Sequence, residues 1–479
     1  MPFLVPAPVT VSSSRRWTRF AILVAVYFAF LYLAPKPANV KPEGWRLVAL
    51  FAATIAGLIL EPIPGGALVL LAVTLSAIIG GLTVQSALAG YGDPTVWLVM
   101  AAFFISRALL NTGLARRIAL FFVKAFGSSS LGVSYALSFS DAVLASIIPS
   151  NGARSGGVIL PICRSIAELY GSTPGATAGL IGTFLFLAVY QGICVTASMF
   201  FTGQASNPLA AQIATQAGYP ITWASWFVAG IVPGVCALLA GPLVIMKLYP
   251  PEVRKTPEAT AFAGRELEKM GALSPNERIL TVVFVSVCGM WVTSGLHKVD
   301  ITLTALAGSA ALLATGVLSW EDVKSEKAAW DIFFWYGGLV RLGKALADTG
   351  VTTEFARGVA AAFDWAGWIT LFVAALLIYF YAHYAFASIT AHILAMYPPF
   401  LAVLLAKGAP PGLVAFAFAC FSNFAAGLTN YGTTPSPMFF AHEYVTMRAW
   451  WRTGFILSLV NIAIYSIIGF AWWKLIGVW

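Results

Sequence analysis

Apolar residues recur along this chain in runs long enough to cross a bilayer, near 20–34, 45–60, 65–81, 96–110, 178–200, 223–247, 278–296, 301–318, 329–347, 412–440 and 453–476. Polar residues are mostly confined to the stretches between them. A helix that crosses the hydrocarbon core needs about 20 predominantly apolar residues, because no water is present to satisfy exposed backbone groups. The pattern predicts an all-α polytopic membrane protein of about 11 transmembrane helices.

Two further apolar pieces, 130–167 and 366–405, are broken at their centres by polar and helix-breaking residues. Each is expected to form a re-entrant hairpin that enters and leaves on one side, since irregular backbone at membrane depth is tolerated only where protein encloses it. The chain then divides into a cytoplasmic tail, 1–19; scaffold helices, 20–95; a first repeat, 96–248, with its hairpin; a cytoplasmic loop, 249–277; further scaffold helices, 278–328; and a second repeat, 329–479, with its own hairpin.

Composition agrees with this pattern and narrows the class. The chain of 479 residues is 59% hydrophobic and 10% charged, with a mean hydropathy of +0.84. Its net charge of +9 comes from basic residues at the ends of apolar runs and in one loop, which suits membrane orientation and gives no reason to expect a nucleic-acid partner. The five cysteines stand singly in apolar segments, so neither a disulfide framework nor a metal site is expected, and no cofactor is implied.

The loop 249–277 carries Arg254, Lys255, Arg265 and Lys269 and is flanked by Lys247 and Arg278. The positive-inside rule places it in the cytoplasm, and counting spans from it puts the N-terminus inside and the C-terminus outside. Arg15, Arg16 and Arg19 then fall inside too, before a first helix with no small-x-small cleavage site after it. A bacterial inner membrane is the expected location.

The loop separates two similar halves. Arg107-Ala-Leu-Leu-Asn-Thr-Gly113 ends one span, and Lys344-Ala-Leu-Ala-Asp-Thr-Gly350 ends another. After each come a short amphipathic stretch, a broken hairpin and a span with a polar interruption. The span count sets the halves in opposite orientation, the inverted-topology repeat of carriers that alternate access around a midplane site.

The first hairpin breaks at Pro149-Ser150-Asn151-Gly152, with Arg154 just beyond, and the second at Ser388-Ile389-Thr390-Ala391, with His392 in the corresponding place. A half-helix N-terminus offers unpaired N–H groups and the positive end of a dipole, which suits a carboxylate. Downstream, the interruptions Phe201-Thr202-Gly203-Gln204-Ala205-Ser206-Asn207-Pro208 and Leu428 to Pro437 prevent continuous helices. Ser150, Asn151, Gly152, Ser388, Ile389 and Thr390 are therefore expected to bind the solute at the tips. Thr202, Asn207, Thr433, Thr434 and Pro435 would complete the site from the breaks.

The order of these elements resembles the divalent anion/sodium symporter family over nearly the whole chain. Ser150 to Pro161, the stretch 383–397 with its two histidines, and Leu428 to Pro437 are similar to its branch of citrate/succinate and tartrate/succinate exchangers and plastid 2-oxoglutarate/malate translocators. The resemblance implies di- or tricarboxylate substrates, a homodimer in the lipid bilayer, and an elevator-type movement of a transport domain against a fixed scaffold.

The family's Ser-Asn-Thr tip has Gly152 for its threonine in the first hairpin and is matched only loosely in the second, which weakens the expectation of sodium sites. Arg154, always protonated, and His392 are expected to supply charge compensation in place of sodium. An unpaired cation makes crossing empty costly, so sodium-independent exchange follows. Sodium-coupled symport by the same fold is the alternative. An intramembrane enzyme is remote, because His383 and His392 form no HExxH, and an ATP-driven pump is not expected, because Gly338 to Lys344 is followed by Ala345 where a P-loop needs Ser/Thr.

Overall fold

The structure is a computed structural model that describes residues 13–37, 40–79 and 81–479. Among the described residues every regular element is helical, apart from one isolated bridge between Ser129 and Lys255. The expected tail lies largely outside the described residues; Arg15, Arg16 and Arg19 already belong to the first helix, Ser13–Leu33.

Nine helical stretches among the described residues are long and apolar enough to cross a membrane: Arg15–Leu33, Pro42–Leu60, Pro94–Thr112, Gly182–Met199, Trp223–Leu248, Trp368–Ala385, Ile389–Ala406, Pro411–Leu428 and Met447–Leu475. Four of the eleven expected spans are not among them: Gly65–Ile78 and Ile301–Ala314 are shorter, Pro275–Val292 opens on the polar turn Pro275-Asn276-Glu277-Arg278, and Lys327–Asp348 carries five charged residues. The nine also include both halves of the second hairpin, each long enough alone. The protein is an all-helical, multi-pass membrane protein.

The chain forms two compact units, one of residues 1–96 and 330–358 and the other of 97–329 and 359–479. In the first unit, Ser13–Leu33 packs on Pro42–Leu60, which packs on Gly65–Ile78. Gly90 accepts close backbone approach, since a Cβ there would lie 2.0 Å from the Gly337 carbonyl oxygen. In the second unit, Gly182–Met199 is the buried centre, flanked by Trp223–Leu248, Ser130–Ala145 and Pro411–Ala425.

The two matching helix ends share their local geometry. Gly113 and Gly350 both adopt positive φ, at 80° and 73°, where a side chain would be strained. The threonine before each bonds back into its helix, Thr112 to the Ala108 carbonyl at 2.8 Å and Thr349 to the Leu346 carbonyl at 2.6 Å. Each threonine oxygen also accepts from the amide two residues on, that of Leu114 or Val351. The resemblance between the halves thus extends to the atoms of the turn.

The polar loop is ordered. Thr256 donates its amide to Ser128 and its hydroxyl to Gly127, while Val253 donates to Leu180, which fastens the loop to the base of the first hairpin. Its helix, Pro257–Met270, lies against Leu114–Phe126. Arg117 grips Glu277 through two bonds of 2.7 and 3.2 Å, and Arg116 meets Glu266 at 2.8 Å.

Lys269, bonded at 2.7 Å, and then Arg116 hold the Glu266 carboxyl below the ordinary carboxylate range. A lowered pKa contributes stability that is complete above the unfolded value and lost as pH falls through the folded one. Hydrogen exchange of Pro257–Met270, corrected for intrinsic rate, should therefore hold constant from neutral pH down to about 5 and rise below about 4. A rise beginning above pH 6 would contradict this assignment.

Candidate functional site

Both hairpin tips are built on the same cap. Ser150 and Ser388 have extended backbone and end the irregular segment; their hydroxyls accept from the amides of Ala153, at 3.1 Å, and Ala391, at 3.4 Å. Their carbonyls accept from Arg154 and His392, at 3.0 and 3.1 Å. This leaves the N–H groups of Asn151 and Gly152, and of Ile389 and Thr390, in the first-turn positions that have no intrahelical partner.

Each tip is braced by the break of the other half. Asn151 Nδ2 donates to Thr433 Oγ1 at 3.0 Å, and Gly152 lies so near Thr434 that a Cβ would come within 2.8 Å of its methyl carbon. At the second tip the Thr390 hydroxyl pairs with that of Ser206. Ser206 was not singled out in the sequence, because neither its type nor its spacing distinguishes it from its neighbours. Ser150, Ser388 and Thr390 are half-buried and Thr434 is exposed, whereas Asn151, Gly152, Ile389, Thr433 and Pro435 are buried.

Behind the tips the structure corrects two expectations. Arg154 is fully buried, and its Nε donates to Asp141 Oδ1 at 2.9 Å, with Nη2 3.4 Å from Oδ2. Its Nη1 donates to the carbonyls of Ile148 at 2.7 Å and Gly203 at 2.8 Å, and Thr196 donates its hydroxyl to the same Asp141. The guanidinium is not a free charge awaiting a solute. The pair is neutral and fastens the hairpin to its own break.

His392 is the repeat's counterpart. Both Arg154 and His392 follow the capping serine by four positions and reach the residue 13 positions earlier in the preceding half-helix. There Arg154 meets a carboxylate, and His392 Nε2 meets the Tyr379 carbonyl at 2.8 Å, which requires the proton on Nε2. Its ring is buried against Tyr379, His383 and Phe386, with centroids 4.2, 4.9 and 5.1 Å away. His392 supplies a hydrogen bond behind the tip instead of a charge facing the solute. His383 Nε2 lies 2.9 Å from the Gly432 carbonyl, as Arg154 lies beside that of Gly203.

Two residues expected to line the site hold its shape. The Thr202 hydroxyl donates to the Ser146 carbonyl at 2.6 Å and accepts from Trp223 Nε1 at 3.1 Å. Asn207 gives both amide hydrogens to the last carbonyls of the broken span, Ala197 at 2.7 Å and Phe200 at 2.9 Å, and accepts from Asn423 at 2.9 Å. Both side chains thus satisfy carbonyls at or just past helix ends, and the Phe200 carbonyl accepts from the Gly203 amide as well. Asp141 carries one signal in the sequence, an acid at membrane depth, which calls for a partner without showing which residue it is.

The second break is held in turn by Gly182–Met199. The Tyr190 hydroxyl reaches the Ala426 carbonyl at 2.8 Å and Ser436 Oγ at 2.6 Å, and Ser436 Oγ accepts from the Thr433 amide at 3.1 Å. A continuous relay of hydrogen bonds thus runs from Tyr190 through Ser436 and Thr433 to Asn151. The arrangement can hold an anionic group at each half-helix end, where N–H and hydroxyl donors stand together.

Comparison with known proteins shows the family of the chain. Residues 14–479 match the family described as the sodium:sulfate symporter transmembrane region. The chain is 44% identical over 451 residues to a putative malate transporter, YflS, of Bacillus subtilis, covering 94% of each. It is 40% identical over 463 residues to the chloroplastic dicarboxylate transporter 1 of Spinacia oleracea, covering 96% of this chain and 81% of the relative. Identity to the Escherichia coli inner membrane protein YbhI is 33% over 471 residues, covering 96% and 98%. Among solved structures, the YdaH transporter of Alcanivorax borkumensis superposes with a TM-score of 0.54 over 95% of this chain and 98% of that one, at 11% identity, a likeness of fold alone. With two capped tips, two broken spans and a match across nearly its whole length, the chain belongs to the sodium:sulfate symporter transmembrane-region family.

Proposed function

We propose that this protein exchanges dicarboxylates across a bacterial inner membrane by alternating access, without sodium. The observation that carries the reading is the pair of identically capped tips, each with two first-turn N–H groups and a serine, which match a solute carrying an anionic group at each end. Relatives named for malate and dicarboxylate transport support the substrate class.

Sodium independence now has a different basis from the one expected. The carbonyl oxygens of Ile148, Gly203, Tyr379 and Gly432 are already bonded by Arg154, His392 and His383, so the acceptors behind both tips are committed to protein donors. The case for exchange also shifts. An empty site leaves tip N–H groups unpaired in a low-dielectric setting, at about 1–3 kcal/mol each, so crossing loaded is favoured over crossing empty. The N-terminus inside, the homodimer and the elevator-like movement implied by the family resemblance belong to the same proposal.

Counterflow in proteoliposomes tests it. Efflux of labelled succinate should require an external dicarboxylate and be the same in sodium and in choline. Sodium-driven uptake into empty vesicles would instead assign sodium symport, and a lack of movement of any di- or tricarboxylate would remove the substrate class.

A further inference from the structure

We infer that the first unit carries a binding groove for one acyl chain of an anionic phospholipid. The first helix is the most exposed of the spanning candidates, with only 6% of its apolar window buried. Along it runs a groove of about 240 Å³ walled by Phe20, Tyr27 and Phe28 on one side and by Leu50, Leu68 and Leu71 on the helices behind. The hydroxyl of Thr54, which also lines it, is bonded to the Leu50 carbonyl at 2.7 Å and offers nothing to a polar occupant. Only an apolar chain fits such walls.

The charge at one end identifies the rest of the ligand. Arg16 precedes Phe20 by one helical turn on the same face, and Arg19 adjoins it. Arg19 donates to the Glu61 backbone carbonyl at 3.0 Å, which anchors it at the end of the second helix, while Arg15 and Arg16 stand exposed. Trp17, 63% exposed, adds an interfacial ring next to the Arg16 guanidinium, 5.9 Å from its centroid. A chain lying in the groove with its phosphate at these arginines satisfies both features. A zwitterionic lipid would bring its own cation to the same place.

Native mass spectrometry of the detergent-purified full chain, offered equal phosphatidylglycerol and phosphatidylcholine of one chain length, decides the matter. One tightly held phosphatidylglycerol per chain is expected, preferred about fivefold or more, the order of one arginine's attraction to an anionic headgroup. The double substitution Arg15→Gln, Arg16→Gln should bring the two lipids to parity. Leu71→Trp, which fills the groove from a different helix, should remove the retained lipid of either kind. Equal binding of both lipids by the unaltered protein overturns the proposal, as does a preference that survives both variants. Efficient disulfide formation between two copies through Val24→Cys would assign the groove to a second copy and overturn it as well.

Discussion

Arg154→Ala is expected to destabilise the protein by about 3–5 kcal/mol, because it leaves the Asp141 carboxylate buried without its partner. Both side chains are fully buried, and the guanidinium also fills the carbonyls of Ile148 and Gly203, so the loss reaches the hairpin and its break together. The measurement is thermal unfolding in detergent, with Asp141→Ala expected to fail to a similar degree. The double variant Arg154→Ala, Asp141→Ala should recover much of the loss, since no unpaired charge remains and only packing and the carbonyl contacts are missing. A single variant that stays as stable as the parent and turns sodium-dependent would restore Arg154 to the role of a site cation.

Gly152→Ala is the second large effect. A Cβ at this position would stand 2.8 Å from the Thr434 methyl carbon and 3.3 Å from Thr434 Cβ, inside ordinary contact distance. Relief requires the first tip and the second break to part, which also stretches the 3.0 Å bond between Asn151 and Thr433. Overpacking of this kind costs about 1–3 kcal/mol, so apparent affinity for succinate should fall about tenfold or more while the folded fraction changes little. Thr434→Ser removes the obstructing methyl, and the pair Gly152→Ala, Thr434→Ser should regain affinity. If the paired variant remains as weak as Gly152→Ala alone, the close approach is not what demands the glycine.

The sequence made the tips legible because their signals are local. A serine followed by a helix start, next to a proline or a polar run inside apolar chain, is readable at Ser150 and Ser388 without any tertiary information. The Thr-Gly helix ends at 112–113 and 349–350 are likewise local, and their bonds agree. The partner of Arg154 was not legible, since Asp141 lies on the other limb of the hairpin and only the fold brings them together. The end of the span near 200 is legible, but that the Asn207 amide turns back to close it is set by the fold. Charge read from sequence counts ions; it does not show which are already neutralised.

The crossed bracing of the tips bears on how the protein is made. Asn151 and Thr433 are separated by 282 positions, and Ser206 and Thr390 by 184, so each brace joins chain from opposite halves. While only the first half has left the ribosome, Asn151 has no hydroxyl to meet and Ser206 faces no partner. The hairpin can close on itself early through Arg154 and Asp141, which are only 13 positions apart. Its bracing is completed only after the second break has been made, which makes the centre of the molecule the last part to mature.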